Sequence, residues 1–362
     1  MNTGDFQSRR TFLKTAAVAS AIIGTAGTSL AQAKSNIKLG IDNFAVRALK
    51  WKADELIKYA AELKTDSLFI SDLDALENFE EKYLTDLRRK ASDLGIQIHL
   101  GTWSICPTSK SFRDKWGNAE EHLALGIRTA KALGSPVIRV VLGSGEDRAT
   151  PGGIEARIED TVKVCKALKT RAVDAGVKIA VENHAGDMQA WELVQLIEAA
   201  GKDYVGANMD SGNATWTLED PLASLEILGP YAATTSLRDS AIWETENGAA
   251  IQWTAMGEGV VDFKTYFKRF AELCPGVPVH IETISGFNRE FPYLKPEFWK
   301  VWPKARAIDF ARFVALAKKG KAKAAWQPPV NQDRTKAEQE YQKREIEQSI
   351  AYCKSLGLGP KA

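Results

Sequence analysis

From about residue 37 the chain alternates short, unbroken apolar runs with longer stretches in which apolar residues recur every three or four positions. A short run apolar on both faces reads as a strand covered on both sides, and the three-to-four spacing reads as a helix with one buried stripe. The runs predict strands over Ile37 to Asp42, Ser67 to Ser71, Ile96 to Thr102, Pro136 to Leu142, Lys178 to Asn183, Val205 to Asp210, Ala232 to Arg238 and Val277 to Thr283. The stretches between them predict helices over Lys52 to Leu63, Leu76 to Leu94, Asn118 to Leu133, Pro151 to Ala175, Met188 to Ala200, Pro221 to Leu228 and Phe263 to Leu273, with an eighth over Lys304 to Lys319. Thr150-Pro151 and Asp220-Pro221 each place an N-cap before a proline whose missing N–H costs nothing at the first helical position. Gly95, Gly134, Gly176 and Gly201 fall where helices must stop. Strand then helix, eight times over, predicts an α/β fold, a (β/α)8 TIM barrel. No strand leads into a G-x-G-x-x-G turn, which counts against an open doubly wound sheet with a dinucleotide site.

The two ends do not follow this rhythm. Ser8-Arg9-Arg10-Thr11-Phe12-Leu13-Lys14 precedes a small-residue apolar stretch from Ala16 to Leu30 and then Ala31-Gln32-Ala33, the pattern of a twin-arginine export signal. Residues 1–33 are therefore expected to be a cleaved leader, with the mature protein periplasmic or otherwise exported and not stably inserted in a membrane. The barrel is expected over 34–320. At the other end, Gln327-Pro328-Pro329 breaks any helix, and a charged helix from about Thr335 to Leu356 is expected in a C-terminal extension over 321–362, lying on the barrel or on a second subunit.

Removing Arg9, Arg10 and Lys14 on one side and Asp5 on the other leaves 45 basic and 45 acidic residues, a balance that points away from nucleic acid or an anionic membrane as partner. Cys106, Cys165, Cys274 and Cys353 lack metal-site spacing and read as buried thiols. The subunit count is left open, a homo-oligomer included.

Chemistry is concentrated where three strands stop. Val181-Glu182-Asn183-His184, Met209-Asp210 and Ile281-Glu282 each end an apolar run in a carboxylate. In a barrel of this order those ends share the catalytic mouth. Three carboxylates at close quarters need a neutralising cation or a proton, and all-oxygen ligands suit one divalent ion, magnesium, manganese or zinc. His184 follows Glu182 by two and shares its face, as a hydrogen-bonding or proton-relay group. Arg238, on the same face as Ser236, is placed to bind a substrate oxyanion or to balance charge. His280 should point into the barrel one layer below Glu282, His99 should border the site, and His122 should lie on a helix surface. Trp103, Trp191, Trp216, Trp243, Trp253 and Phe287 fall near strand ends, where flat rings suit the C–H faces of a sugar.

These motifs resemble the xylose-isomerase-like TIM barrels, a superfamily of sugar isomerases and epimerases that also includes endonuclease IV. The resemblance spans roughly Ile37 to Phe287 and rests on V-E-N-H-A-G at Val181 to Gly186, N-M-D-S-G-N at Asn208 to Asn213, S-L-R-D at Ser236 to Asp239, G-E-G-V-V-D at Gly257 to Asp262 and H-I-E-T at His280 to Thr283. It implies one divalent ion held by Glu182, Asp210 and Glu282, with the two glutamates shuttling a proton beside a carbonyl. Two positions depart from the family. Ser236 stands where a histidine ligand is usual, and Asn213 where a substrate-touching histidine is usual. Gln252, on the long connection after the seventh strand, His184 or water is then left to complete the coordination.

The expected function is a metal-dependent sugar isomerase or epimerase that takes a proton alpha to a carbonyl. Glu182 and Glu282 are the acid and base, and His184, Asn213, Arg238, Gln252, Trp103 and Trp216 the substrate contacts. An unphosphorylated carbohydrate is the expected substrate, since no phosphate-cradling glycine loop is present. A lyase cleaving 3-keto-glycosides by β-elimination and a non-catalytic periplasmic sugar-binding protein are the alternatives. A histidine-rich phosphodiesterase centre is disfavoured with only four histidines in the chain.

Overall fold

Strands apolar on both faces need cover on both, and a closed barrel with an outer ring of helices supplies it. The computed structural model describes residues 37–360, so the leader expected over 1–33 lies outside the described residues. Its barrel strands are β1 (Leu39–Asp42), β2 (Ser67–Ile70), β3 (Gln97–Ser104), β4 (Val137–Val141), β5 (Lys178–Glu182), β6 (Val205–Met209) and β7 (Ala232–Thr235). Then come β8 (Asp239–Thr245) and β9 (Gly248–Thr254) outside the barrel, the eighth barrel strand β10 (Val279–Ile281), and β11 (Asn288–Phe291). The eight barrel strands are all parallel, and β10 returns to pair with β1, Leu39 opposite Val279. The ring closes on the other side through Leu237, whose N–H donates to the His280 carbonyl at 2.8 Å and whose carbonyl accepts from Glu282 N at 2.9 Å.

The helices are α1 (Ala53–Glu62), α2 (Glu81–Asp93), α3 (Ala119–Leu133), α4 (Gly153–Ala167), α5 (Lys169–Ala175), α6 (Ala190–Ala200), α7 (Ser211–Trp216), α8 (Pro221–Leu228), α9 (Phe263–Leu273), α10 (Ala307–Ala317) and α11 (Arg334–Ser355). The single helix expected over Pro151 to Ala175 is two, divided at Leu168, whose backbone sits at φ −100°, ψ 5°. Asn118 caps α3 by accepting from Glu120 N and Glu121 N at 3.0 Å while the Glu121 carboxylate reaches back to Asn118 N, a complete capping box. No helix among the described residues is long and apolar enough to cross a membrane.

Two features raise the barrel above its minimum. The connection from Leu237 to Phe263 is no open loop. It folds as the antiparallel hairpin β8–β9, which β11 extends to a three-stranded sheet. The helix α11 lies on the barrel itself, burying Ala337, Ile346, Ile350 and Cys353. Its Gln342 accepts from Ala48 N at 2.8 Å, which ties it to the short turn Asn43–Leu49 that follows β1.

Inside the barrel, Phe69, His99 and His280 pack ring against ring with centroids 4.8 to 6.3 Å apart. Gly40 makes room for this layer, since a Cβ there would come within 2.6 Å of the His280 ring. Burial pushes both imidazoles down, so this layer is a neutral plug under the mouth. His280 thus lies where its alternation with Glu282 places it, and His99 lies in the interior instead of at the rim. His122, expected on a surface, is buried with Nε2 2.6 Å from Thr102 Oγ1, because α3 presses that face onto β3.

Candidate active site

The strand-end acids are held in register by the amide that follows the first of them. Asn183 Nδ2 donates to the Asp210 carbonyl and its Oδ1 accepts from Asp210 N, each at 2.9 Å, so one side chain adds a rung between β5 and β6 beyond the backbone ladder. Asp210 is also the N-cap of α7, its Oδ1 accepting from Gly212 N at 2.7 Å and Asn213 N at 2.9 Å. Glu282 follows β10 at the point of ring closure. As expected from the strand ends, Glu182, Asp210 and Glu282 converge, each offering an oxygen within 4.8 Å of the others, all buried.

The convergence is already neutralised in part by arginines. Arg238 Nη2 donates to both Asp210 Oδ2 and Glu282 Oε2. Arg139, from the middle of β4, brings Nε to 2.8 Å from Glu182 Oε2 and donates from Nη1 to the Thr102 carbonyl. Below them Asn208 Nδ2 donates to Glu182 Oε2 at 2.8 Å and to Ser236 Oγ, and Ser236 in turn donates to Asp42 Oδ2 at 3.2 Å. Asn213 Nδ2 donates to Glu182 Oε1 at 3.1 Å and Asp210 Oδ2 at 2.7 Å. Burial raises the Asp210, Glu282 and Asp42 carboxyls above the usual range, against the pull of the arginines. Burial opposes the charge on Arg238, but Asp210, Glu282 and Glu182 outweigh it and hold the guanidinium firmly protonated.

Above this network lies a cavity of about 200 Å³, small against the ~300 Å³ and more of most ligand pockets. Glu182, Glu282, Arg139, Arg238, Asn213 and His184, with Ser71 and Asp72, supply its polar lining, and Phe44, Trp103, Trp216 and Trp253 are aromatic walls. His184 Nδ1 lies 2.6 Å from the Gly143 carbonyl, which only accepts, so Nδ1 carries the proton and Nε2 is an acceptor. Burial lowers the His184 imidazole, which keeps it neutral. The turn after it is held by Asp187, whose carboxylate accepts from His184 N, Met188 N and Gly143 N. Trp216 and Trp253 stack at 3.9 Å, and Phe287 meets both edge-on.

Of the expected contacts, Glu182, Asp210, Glu282, His184, Asn213, Arg238, Trp103 and Trp216 are brought together. Gln252 is not. On β9 its side chain turns to Asn288 Oδ1 and the Ala324 carbonyl and does not line the cavity, so it completes no coordination here. Trp191 and Trp243 also stand off the cavity, Trp191 bonding its own helix start through Gln189. Arg139, Asp42 and Asn208 were not anticipated. Asp42 ends an apolar run as the other acids do, Asn208 precedes Asp210 by two and so shares its face, and Arg139 is a charge inside Val137-Ile138-Arg139-Val140-Val141.

Three carboxylates this close are a candidate metal site, but the donors present fit a divalent ion poorly. An ion at ~2.0–2.2 Å from Asp210 and Glu282 would compete with the Arg238 nitrogen that bridges them. The place of a nitrogen ligand is taken by Ser236, whose hydroxyl is spent on Asp42.

A family model described as xylose isomerase-like TIM barrel matches residues 57–300. Among curated proteins, a 3-oxo-isoapionate decarboxylase from Pectobacterium atrosepticum is 21% identical over 210 residues, 58% of this chain and 69% of that one. Among solved structures, a D-psicose 3-epimerase with D-tagatose from Clostridium cellulolyticum H10 superposes with a TM-score of 0.57 at 16% identity, covering 89% of this chain and all of that one. An IolI protein with a zinc atom superposes at 0.52 with 17% identity, covering 79% of this chain and all of that one.

Proposed function

The chain belongs to the xylose isomerase-like TIM barrel family, and from that premise we propose that it is a sugar-processing enzyme that removes a proton from the carbon next to a carbonyl in a small, unphosphorylated sugar or keto-sugar. The observation that carries this reading is the meeting of Glu182, Glu282 and Arg238 at one small aromatic-walled cavity. Removing such a proton leaves charge on the carbonyl oxygen, and fixed positive charge or N–H donors beside that oxygen lower the barrier most. Glu282, its carboxyl raised by burial, is suited to hold and deliver a proton, and Glu182, ion-paired to Arg139, to accept one. Asn213 bridges Glu182 and Asp210 and sets their spacing, while Trp103 and Trp216 flank the sugar and displace water. Return of the proton to the opposite face of the same carbon gives an epimer, and to the neighbouring carbon an isomer. No proton movement in this scheme depends on a metal.

A second ending has support of its own. The similarity to a 3-oxo-isoapionate decarboxylase favours a substrate whose carbon next to the carbonyl loses carbon dioxide in place of a proton, the bonding pair passing to the carbonyl as an enolate that then takes a proton at that carbon. The expected leader would place either reaction outside the cytoplasm. The test is incubation of the purified protein with ketoses and keto-glycosides in deuterated water, followed by NMR of the carbon next to the carbonyl. Deuterium should enter with the wild type, and Glu182→Gln should still bind the sugar but lose the exchange. Exchange that persists in that variant removes Glu182 from the role of base.

A further inference from the structure

We infer that the Arg238 guanidinium stands where this fold would otherwise seat a divalent ion, and that its unpartnered N–H groups bind the oxyanion of the substrate, an enolate or enediolate. The inference rests on the proton-abstraction reading and names the group that meets the charge.

The position is built for a guanidinium. Its Nη2 bridges Asp210 and Glu282, two of the three acids that would hold an ion. Glu182 Oε2 is taken by Asn208 and Arg139 and Asp210 Oδ1 by two backbone N–H groups, while Glu182 Oε1, with Asn213 as its single donor, keeps a lone pair for a proton. The stem of Arg238 passes over Gly212, where a Cβ would come within 2.4 Å of Arg238 Cγ, so only glycine leaves the path open. The guanidinium carbon lies 4.4 Å from the centre of the Trp253 ring, and Trp253 is itself fixed by donating Nε1 to the Gly212 carbonyl at 2.9 Å. A guanidinium does not deprotonate in proteins, so this charge is as permanent as that of an ion.

The same side chain is incompletely satisfied. Arg238 is 1% exposed, yet Nε and Nη1 have no hydrogen-bond partner, and Arg238 lines the cavity. Buried donors are nearly always paired, and an exception that lines a cavity calls for a partner there, whether water, ion or ligand. An oxygen that gains negative charge during the reaction would satisfy them most strongly when the barrier is highest. Ser236 fits the same account, because with no ion to coordinate it serves as a link from Asn208 to Asp42.

Two probes test the inference without a known substrate. Manganese(II) added to the purified protein is followed by the paramagnetic resonance of the free ion, and binding of oxalate, a planar dianion resembling an enediolate, is followed by calorimetry in the presence of EDTA. Wild-type protein should take up no stoichiometric manganese and should bind oxalate despite the chelator. Arg238→Lys should weaken oxalate about tenfold or more. Arg238→Ala, which vacates the space between the acids, should acquire manganese binding. Uptake of one manganese per chain by the wild type, lost in Asp210→Asn, overturns the inference whether or not the arginine variants fold. Oxalate binding that fails in EDTA, or that is indifferent to Arg238→Lys, overturns it too. Failure of deuterium exchange with these outcomes intact strikes the proton-abstraction reading alone.

Discussion

A guanidinium clamped between two carboxylates needs its stem to pass somewhere, and Gly212 supplies the passage. Gly212→Ala should force Arg238 off Asp210 and Glu282 or push Trp253 aside, at a cost of ~1–3 kcal/mol in urea unfolding, with oxalate binding weakened in parallel. A variant as stable as wild type that still binds oxalate would show that the clamp can re-form elsewhere. Arg139 allows a sharper contrast. It is buried against Glu182, so Arg139→Met strands a charge and should cost ~3–5 kcal/mol. Arg269, 39% exposed between Glu226 and Glu272, should cost far less on the same change, because water screens its pairs. Similar losses from both would mean that Arg139 does not carry the pair. At this scale the sequence exposes the acids and Arg238, which close predicted strands, and His184, two residues past Glu182, whereas Asn213, three past Asp210, is reached only through the resemblance to the family. It hides Arg139, whose position inside a strand looks like an interruption until the barrel interior is known to be polar near its mouth. It misplaces Gln252, because which way a side chain leaves a hairpin depends on a register that composition does not reveal.

Elements are joined around the site by buried acids whose partners are mostly N–H groups. Glu219, between α7 and α8, accepts from Ala190 N at the start of α6 at about 3.0 Å and from Thr217 Oγ1. Burial raises its carboxyl from 4.5 to about 8. A carboxyl raised on folding binds its proton more tightly in the native state, so stability is full below its unfolded value and falls as pH rises toward its folded one. The chain should lose stability between about pH 4.5 and 8 on this account, and Glu219→Gln should flatten that part of the urea-stability profile against pH. A profile unchanged by the substitution would show that the carboxyl is not proton-bound in the native state. The barrel strands and most helices were legible because their apolar periods are long and their ends carry caps such as Asn118 and Asp220. The hairpin β8–β9 was not, since Asp239 to Thr254 mixes tryptophans with polar residues, and Leu168 divides α4 from α5 with no proline or glycine to announce it.

At the scale of the whole molecule, the C-terminal helix α11 acts on the cavity from outside the barrel. It takes the first of the two places expected for it, on the barrel, where Ile346, Ile350 and Cys353 are buried and polar anchors at Gln339, Gln342 and Ser349 fix it to Ala48 and Met256. Two segments that wall the cavity are thereby held. Phe44 belongs to the turn Asn43–Leu49, which the glutamines grip, and Ile284 precedes Ser285, whose hydroxyl meets Tyr341 and Glu345 on the helix. Deleting residues 331–362 should therefore do two things. Stability should fall by a few kcal/mol, since each buried aliphatic side chain contributes ~1.5–3 kcal/mol before the entropy of ordering the helix is subtracted. Oxalate affinity should fall as well, although no deleted residue lines the cavity, because Phe44 and Ile284 lose their outer support. Urea unfolding and calorimetry on the truncated and full chains separate the two effects. A truncated chain that is less stable but binds oxalate unchanged confines the helix to holding the barrel together, whereas loss of both makes the extension part of the site's architecture.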